Sequence, residues 1–298
     1  MVELLSQQEI RRLLPERPGN SHKGTFGHLF VLAGSRRFSG AVKLTCDAAM
    51  RSGVGLVTAG VPAPLIDALA GFMVEPMLLP LPATDAGTTA YEAADAIHDF
   101  IEDKSAMVVG PGLSQEPSTM RLSRRLALER RIPLLLDADG LNAFAARRTR
   151  HVLRDTTCDV RAVFTPHPGE MARLAGLDTA SVQQDRAGVA SKCAALWHAT
   201  VVLKGAGTIV AAPDGQVRQC PVGNAGMATG GSGDVLSGII GALLAQGCAA
   251  FEAACIGVYA HGLAGDLAAQ IKTERGLIAR DIIDALPAAW QTIEETAS

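Results

Sequence analysis

A glycine-rich turn before an apolar helical stretch is the clearest sign of chemistry in this sequence. Residues 230–234 read GGSGD, and an uncharged run follows them. Gly230, Gly231 and Gly233 would let the backbone approach an anion closely, and the first N–H groups of the helix would point at that anion. Asp234 is unexpected, because a carboxylate repels phosphate. Asp234 either stabilises the helix N-terminus or acts as a general base, and both interpretations stay open.

This turn does not match the two commonest phosphate-binding fingerprints. A Walker A loop has a Lys-Ser or Lys-Thr pair after its last glycine, whereas Asp234 and Val235 follow here. A dinucleotide-binding turn follows the first strand of its domain, whereas this turn comes after a sequence typical of a hairpin. A different phosphate-handling fold is therefore needed.

Three other polar positions follow apolar runs, and each has two open interpretations. Lys204 begins a glycine-containing turn, where it would neutralise phosphate or simply be an exposed lysine at a strand end. His167 lies between two prolines that restrict its backbone, so it is a ligand contact or a structural histidine. Asp137 suits a water-bridged Mg²⁺ or an internal hydrogen bond within its turn about equally well.

Six short apolar runs alternate with helical patterns and are interpreted as strands. They are continuously apolar, as is typical of strands covered on both faces. The repeated strand–helix order predicts an α/β fold with a mostly parallel central sheet and helices on both faces. The polar residues collect after these runs, at the sheet edge where ligands bind in such folds. The runs are residues 28–34, 55–61, 106–112, 132–140, 162–170 and 200–207.

The pattern changes after Lys204. Two short runs around Asp214 and Gly215 predict a hairpin in the C-terminal third of the chain. Two packed helices are expected at residues 233–246 and 248–270, and a short one near residues 280–286.

The N-terminal segment, residues 1–19, is expected to be a short helical extension that ends before Pro15 and Pro18. No linker divides the chain, so we expect a single domain over residues 1–298. The apolar side of the extension would comprise Leu4, Leu5, Ile10, Leu13 and Leu14.

Composition argues against several classes of protein. The net charge is −3, with 27 Lys and Arg against 30 Asp and Glu, whereas nucleic-acid-binding proteins usually have a basic excess. The uncharged residues 235–251 fall short of the roughly 20 residues of a membrane span. The N-terminus lacks the long apolar core of a signal peptide. None of the six cysteines forms a C-x-x-C pair, so reduced thiols in a cytoplasmic protein are expected.

Seven motifs, found together and in order, resemble those of the ADP/ATP-dependent NAD(P)H-hydrate dehydratases of the ribokinase-like superfamily. The resemblance covers nearly all of residues 20–290, and the motifs are specific only as a set. An epimerase domain, often fused to this family, is not expected because no room remains for it before His22. The motifs are HKGTFGHLFVLAGS, GAVKLTCDAAMRSGVGLVT, VVGPGL, DADGLN, TPHPGEMARL, VLKGAGTIV and GNAGMATGGSGDVLSGIIGALLAQG.

The resemblance implies a ribokinase-like fold and the repair of hydrated NADH or NADPH, called NAD(P)HX, with ADP or ATP as co-substrate. The ring hydroxyl would be phosphorylated and phosphate then eliminated, with Asp234 as the catalytic base. Mg²⁺ and a homotetramer are also implied. The dinucleotide contacts implied are Ala41, Gly112, His167 and Asp234. The adenine nucleotide contacts implied are Lys204, Gly205, Ala206, Gly207, Thr208 and Gly233.

Two other functions stay open. A kinase of a vitamin precursor or sugar would share the glycine turn and Asp234, but it is not expected to carry both TPHPGE and HKGTFGH. Activity with the two types of substrate separates that kinase from a dehydratase. A non-catalytic nucleotide sensor would need no base, so it would tolerate Asp234→Asn.

Overall fold

The computed structural model describes residues 2–145 and 161–295. A ten-stranded sheet runs through these residues. Its strands are β1 (Glu3–Leu4), β2 (His28–Leu32), β3 (Leu56–Pro62), β4 (Met77–Leu81), β5 (Ala106–Val109), β6 (Leu134–Leu136), β7 (Ala162–Phe164), β8 (Thr200–Leu203), β9 (Ile209–Ala211) and β10 (Val217–Gln219).

The order across the sheet is β1-β10-β9-β8-β7-β6-β5-β2-β3-β4. All neighbours from β8 to β4 are parallel, and β1 is parallel to β10. Only β9 runs antiparallel to its two neighbours, β8 and β10. The predictions of a mostly parallel sheet and of a hairpin around Asp214 are therefore confirmed. The single domain over residues 1–298 stays a prediction.

Helices cover both faces of this sheet, as predicted. The described residues contain α1 (Gln7–Leu13), α2 (Ser39–Met50), α3 (Ile66–Ala70), α4 (Ala94–Ile101), α5 (Pro117–Leu128), α6 (Ala138–Asn142), α7 (Pro168–Ala175), α8 (Thr179–Gln184), α9 (Arg186–Trp197), α10 (Ser232–Ala245), α11 (Ala250–Gly276) and α12 (Ala279–Glu294). One core packs α2, α10, α11 and α12 on the sheet, and the other packs α4, α5, α7 and α9 on its opposite face.

Strand β2 explains why the strand sequences are continuously apolar. Leu29 and Val31 enter the core beneath α10, while Phe30 and Leu32 enter the opposite core, and all four are fully buried. Successive side chains of a strand point to opposite faces, so a strand covered on both sides needs apolar residues at every position.

Helix α10 is held rigidly because its glycines allow close packing. A Cβ atom on Gly238 would lie 2.1 Å from the backbone oxygen of Thr45 in α2, and one on Gly241 would lie 2.4 Å from Val108 in β5. Alanine at either position would force these elements apart. Its rigid packing allows α10 to fix the position of the glycine turn at its start. None of the helices in the described residues combines the length and the hydropathy of a membrane-spanning segment.

Three details of the secondary structure were predicted wrongly. Glu3 and Leu4 form the edge strand β1 instead of extending a helix, and the side chain of Leu4 is exposed. The helix begins only after Ser6, whose side chain caps it. Strand β4 was missed because Pro80 interrupts its pattern, which an edge strand tolerates. Helix α12 continues past Pro287 to Glu294, since its later apolar residues are buried against the core.

Candidate active site

The carboxyl ends of the central strands meet at one edge of the sheet, where backbone hydrogen bonds join their loops. The loops that follow β2 and β5 are linked by Gly34 N–H, which donates to Pro111 O at 2.8 Å. The loops after β7 and β8 are linked by Lys204 N–H, which donates to Pro166 O at 2.9 Å. The polar residues singled out in the sequence therefore lie along one continuous edge.

A buried ion pair lies at the centre of this edge. Asp137 Oδ1 accepts from Lys204 Nζ at 2.6 Å, and Asp137 Oδ2 accepts from Ser237 Oγ at 2.8 Å. The Asp137 side chain is only 1% exposed, so both of its oxygens are used inside the protein. Burial lowers the pKa of Lys204, but Asp137 and Glu170 outweigh it and raise this pKa, which keeps the ammonium charged. The expected hydrogen bond within its turn is not what the structure shows, because both oxygens of Asp137 bond to residues of distant elements.

The N-terminus of α10 lies directly over this ion pair. Its N-cap is Gly231, with a left-handed φ of +91°, and no side chain among the described residues caps the helix. A Cβ atom on Gly233 would lie 3.3 Å from Lys204 Nζ. The uncapped N–H groups, the helix dipole and the lysine ammonium therefore make this place attractive to an anion.

Asp234 lies in the first turn of α10 and is partly buried. Burial, assisted by the nearby charge of Asp137, raises the pKa of Asp234 to about 7, although Lys204 acts in the opposite direction. A carboxylate with a pKa near neutrality can accept a proton and release it again at physiological pH. This pKa suits a general base, and that role of Asp234 stays a prediction.

His261 of α11 supports the same turn and was missed in the sequence. Its Nε2 lies 3.3 Å from the hydroxyl of Ser232, the first residue of α10. Burial lowers the pKa of His261 to about 4, so the ring is neutral at pH 7. In the sequence, His261 could be noticed as a histidine within a long stretch of small apolar residues. Its spacing alone does not predict a contact with Ser232.

His167 caps the helix that follows it. Its Nδ1 accepts from the N–H groups of Gly169 at 3.0 Å and Glu170 at 3.3 Å, while Glu170 Oε2 accepts from His167 N–H at 2.8 Å. This reciprocal arrangement is a capping box at the start of α7. The histidine therefore has a structural role. Its side chain is half exposed, with Nε2 3.5 Å from Glu170 Oε1, and a contact with a ligand stays a prediction.

Ala41 and Gly112 lie against each other at the same sheet edge. A Cβ atom on Gly112 would come within 2.7 Å of the Ala41 Cβ, and Gly112 has a left-handed φ of +63°. Ala41 lies in the first turn of α2, one turn before Leu44, and a Cβ atom on Gly231 would lie 2.5 Å from the Leu44 side chain. These contacts place Ala41 and Gly112 near the glycine turn of α10.

The loop from Lys204 to Thr208 is built on two glycines with positive φ, Gly205 at +140° and Gly207 at +60°. Thr208 closes the turn, because its hydroxyl donates to Gly205 O at 3.0 Å. Ala206 at the tip is exposed. The loop therefore presents backbone groups to solvent next to the ammonium of Lys204.

Asp139 and Asn142 connect loops within the protein. Asp139 accepts from Ser114 N–H at 2.8 Å and from the Asn142 amide at 3.1 Å. The Asn142 oxygen accepts from Arg173 of α7 at 2.9 Å. Within residues 2–145 and 161–295, no group of three or more His, Cys, Asp or Glu side chains is arranged to hold a metal ion.

Comparison with known proteins identifies the family. The profile of the NAD(P)H-hydrate dehydratases matches residues 29–288. The chain belongs to the NAD(P)H-hydrate dehydratase family. The predicted family and ribokinase-like fold are thus confirmed. An ADP-dependent (S)-NAD(P)H-hydrate dehydratase of Neisseria meningitidis is 43% identical over 88% of this chain and 83% of that protein.

A solved member of the NAD(P)H-hydrate dehydratase family has the same architecture. The crystal structure of the ADP/ATP-dependent enzyme from Bacillus subtilis, co-crystallised with ATP/Mg²⁺, has a TM-score of 0.85 and 32% sequence identity, and the match covers 98% of this chain and 99% of that chain. A bifunctional NAD(P)H-hydrate repair enzyme of Moorella thermoacetica is 43% identical over 98% of this chain but only 54% of its own length. This chain therefore spans about half the length of that bifunctional relative.

Proposed function

We propose that this chain catalyses the ADP- or ATP-dependent dehydration of NAD(P)HX to NADH or NADPH. The observation that carries the proposal is the position of Asp234, a carboxylate with a pKa of about 7, beside Lys204 at the uncapped start of α10. A proton acceptor is thereby combined with an anion site, which is what phosphoryl transfer to a hydroxyl group requires. Membership of the NAD(P)H-hydrate dehydratase family supports this choice of substrate.

The proposed reaction has two stages. Asp234 takes the proton of the ring hydroxyl, and the hydroxyl oxygen attacks the terminal phosphorus of the nucleotide. The bond from phosphorus to the nucleotide breaks, so ADP leaves as AMP, or ATP leaves as ADP. The lone pair of the ring nitrogen then drives the departure of phosphate, as the bond between the ring carbon and the phosphate oxygen breaks. Loss of a proton from the neighbouring ring carbon restores the double bond.

The dinucleotide and the nucleotide are assigned to adjoining parts of the sheet edge. NAD(P)HX would contact Ala41, Gly112, His167 and Asp234, and the neighbouring positions of Ala41 and Gly112 support one shared surface. The nucleotide phosphates would lie between Gly233 and the loop of Lys204, Gly205, Ala206, Gly207 and Thr208. Both assignments place the reacting groups beside Asp234.

Mg²⁺ is proposed to accompany the nucleotide. It is usually held by one or two carboxylates together with substrate phosphates, so a site made of protein groups alone is not required. Glu170 fits this role, because its side chain is buried beside Lys204 and its Oε1 lies 3.5 Å from His167 Nε2, outside the capping bond. When bound, Mg²⁺ would neutralise charge on the transferred phosphoryl group.

A homotetramer in the cytoplasm is also proposed. Several exposed apolar side chains lie near the edge strand β4, among them Phe72, Val74 and Met77, which supports self-association. Free thiols are typical of cytoplasmic proteins, which supports that location. The buried cysteines without a disulfide are Cys46, Cys193, Cys220, Cys248 and Cys255. Cys158 lies outside the described residues.

Incubation with hydrated NADH, Mg²⁺ and either ADP or ATP tests the function. We expect NADH absorbance to return with at least one nucleotide and not without nucleotide. Parallel reactions with a vitamin precursor and a sugar should consume no ATP. Phosphorylation of either substrate, with no recovery of NADH, would contradict the dehydratase proposal and favour a kinase.

A further inference from the structure

Arg186 contacts the loop that follows β8, although it lies on a different element. It is the first residue of α9, and its guanidinium donates to two backbone carbonyls of this region. Nη2 donates to Leu203 O at 3.0 Å, and Nη1 donates to Ala206 O. One planar group therefore joins the end of the strand to the tip of the loop.

The loop is shaped around this guanidinium. A Cβ atom on Gly205 would lie 3.0 Å from Arg186 Nη2 and 3.4 Å from its Cζ. Gly205 also has a φ of +140°, which favours glycine. Any larger residue at Gly205 would displace the arginine, so Arg186 and the glycine form one packing unit.

Arg186 has no acidic partner in the part of the chain that the structure describes. Burial lowers the pKa of Arg186, and none of the ion pairs among the described residues includes it. Its Nε is buried without a hydrogen-bond partner among the described residues. An arginine stays protonated in proteins, so a positive charge is kept behind this loop.

The two carbonyl contacts fix the direction of the opposite N–H groups. In a trans peptide the C=O and N–H point in opposite directions. The peptide between Leu203 and Lys204 shows this, because its oxygen accepts from Arg186 while its N–H donates to Pro166 O at 2.9 Å. By the same geometry, the contact to Ala206 O turns Gly207 N–H away from Arg186.

Arg186 is not needed to begin its own helix. Asp185 is the N-cap of α9, and its Oδ1 accepts from Gly188 N–H at 2.9 Å. Replacing Arg186 leaves this cap in place. The structural consequence of its two carbonyl contacts therefore falls on the loop after β8 rather than on α9.

We propose that Arg186 is a positioning residue of the adenine nucleotide site. It holds the loop between Leu203 and Gly207 so that Gly207 N–H and the ammonium of Lys204 face the phosphate chain, without touching the nucleotide itself. Its charge also strengthens Gly207 N–H as a donor by polarising the peptide between Ala206 and Gly207, whose carbonyl it binds. The assignment rests on the proposed nucleotide site but needs no turnover to be tested.

Calorimetric titration with ADP tests the inference in four proteins: the wild type, Arg186→Ala, Arg186→Lys and Lys192→Ala. Lys192 is the matched control, since it is exposed on the same helix and its loss removes the same charge. We expect Arg186→Ala to raise the Kd for ADP by about ten- to thirtyfold, as for loss of a charged hydrogen-bond donor. Arg186→Lys should recover part of this affinity, and Lys192→Ala should bind like the wild type.

Steady-state kinetics separates positioning from general damage. With saturating nucleotide, kcat of Arg186→Ala should stay within about threefold of the wild type, and the KM for NAD(P)HX within about twofold, because uniform binding alone is lost. Melting temperatures identify any variant that fails to fold, and Arg186→Lys carries the test if Arg186→Ala does not fold.

Two results would overturn the inference. One is a wild-type Kd for ADP in the folded Arg186 variants, and the other is an equal loss of affinity for ADP and for the dinucleotide. Failure of the proposed function looks different. In that case the wild type would bind ADP, and Arg186→Ala would weaken that binding, but the wild type would restore no NADH.

Discussion

Helices α7 and α10 both begin at the same sheet edge, but their N-termini are built in opposite ways. Helix α7 starts with HPGE, and the side chains of His167 and Glu170 satisfy its first N–H groups in a capping box. Helix α10 starts with GGSGD, has a glycine at its N-cap, and receives no side-chain cap among the described residues. The first N–H groups of α7, the closed terminus, are therefore satisfied within the protein. Those of α10, the open terminus, are left available to a ligand.

This difference separates structural from chemical roles for two residues of the same motif set. His167 already uses Nδ1 to hold α7, so its removal should first affect stability. Asp234 caps nothing within the described residues and has a pKa raised to about 7 by burial, so its removal should first affect turnover. Four measurements test this difference between the two helix N-termini.

The largest effect is expected from Asp234→Asn at the open terminus. Loss of a positioned general base should lower kcat by about 10² to 10⁴. The Kd for ADP should not rise, because the amide keeps the shape of the side chain and removes a negative charge from beside the phosphates. Asp214→Asn is the matched control in the exposed hairpin turn and should leave kcat unchanged. Near-normal turnover of Asp234→Asn would show that the open terminus needs no base.

Lys204→Met should have the next largest effect, on nucleotide binding. Removal of a charged donor should raise the Kd for ADP by about ten- to a hundredfold, and more than it raises the KM for NAD(P)HX. The variant should also melt at a lower temperature, because Asp137 is left buried without its partner. Lys192→Met controls for the lost charge. Equal losses of affinity for ADP and NAD(P)HX would show that Lys204 does not belong to the nucleotide site.

The pH dependence of kcat/KM for NAD(P)HX should report Asp234. Its pKa is about 7 in the folded protein, so below that pH the carboxyl is protonated and cannot act as a base. We expect kcat/KM to fall about tenfold per pH unit below 7 and to level off above it. A profile that stays flat from pH 5 to pH 8 would contradict the assignment of Asp234 as the base.

The smallest effect is expected at the closed terminus. His167→Ala removes the cap of α7 and should lower the free energy of unfolding by about 1 kcal/mol, measured by denaturant unfolding. His167→Asn should restore most of this stability, since asparagine is a good N-cap. Turnover of His167→Asn should stay within about tenfold of the wild type. A loss of turnover as large as that expected for Asp234→Asn would show that the imidazole of His167 takes part in the reaction.

The sequence predicted the central elements because their patterns are local. Strands covered on both faces are continuously apolar, and the glycine turn before α10 needs only adjacent residues to be recognised. The edge strands escaped because β1 has two residues and β4 contains a proline. Their existence depends on the neighbouring strand that each one pairs with.

The site was predicted in its parts but not in its connections. Asp137 and Lys204 were each singled out with two open interpretations, and only the fold brings them together across 67 positions of sequence. Ser237 joins Asp137 across 100 positions. The contacts of His261 and Arg186 could not be predicted from local patterns, since their partners, Ser232 and the carbonyls of Leu203 and Ala206, come from other elements.

The fate of the ring oxygen shows whether the hydroxyl is phosphorylated before it leaves. NADHX labelled with oxygen-18 in its ring hydroxyl would be incubated with the protein, Mg²⁺ and ADP, and the released phosphate and water analysed by mass spectrometry. If the hydroxyl activated by Asp234 attacks the nucleotide, its oxygen leaves with phosphate, so one label should appear in each phosphate as NADH is restored. Label in water, with unlabelled phosphate and restored NADH, would contradict the account.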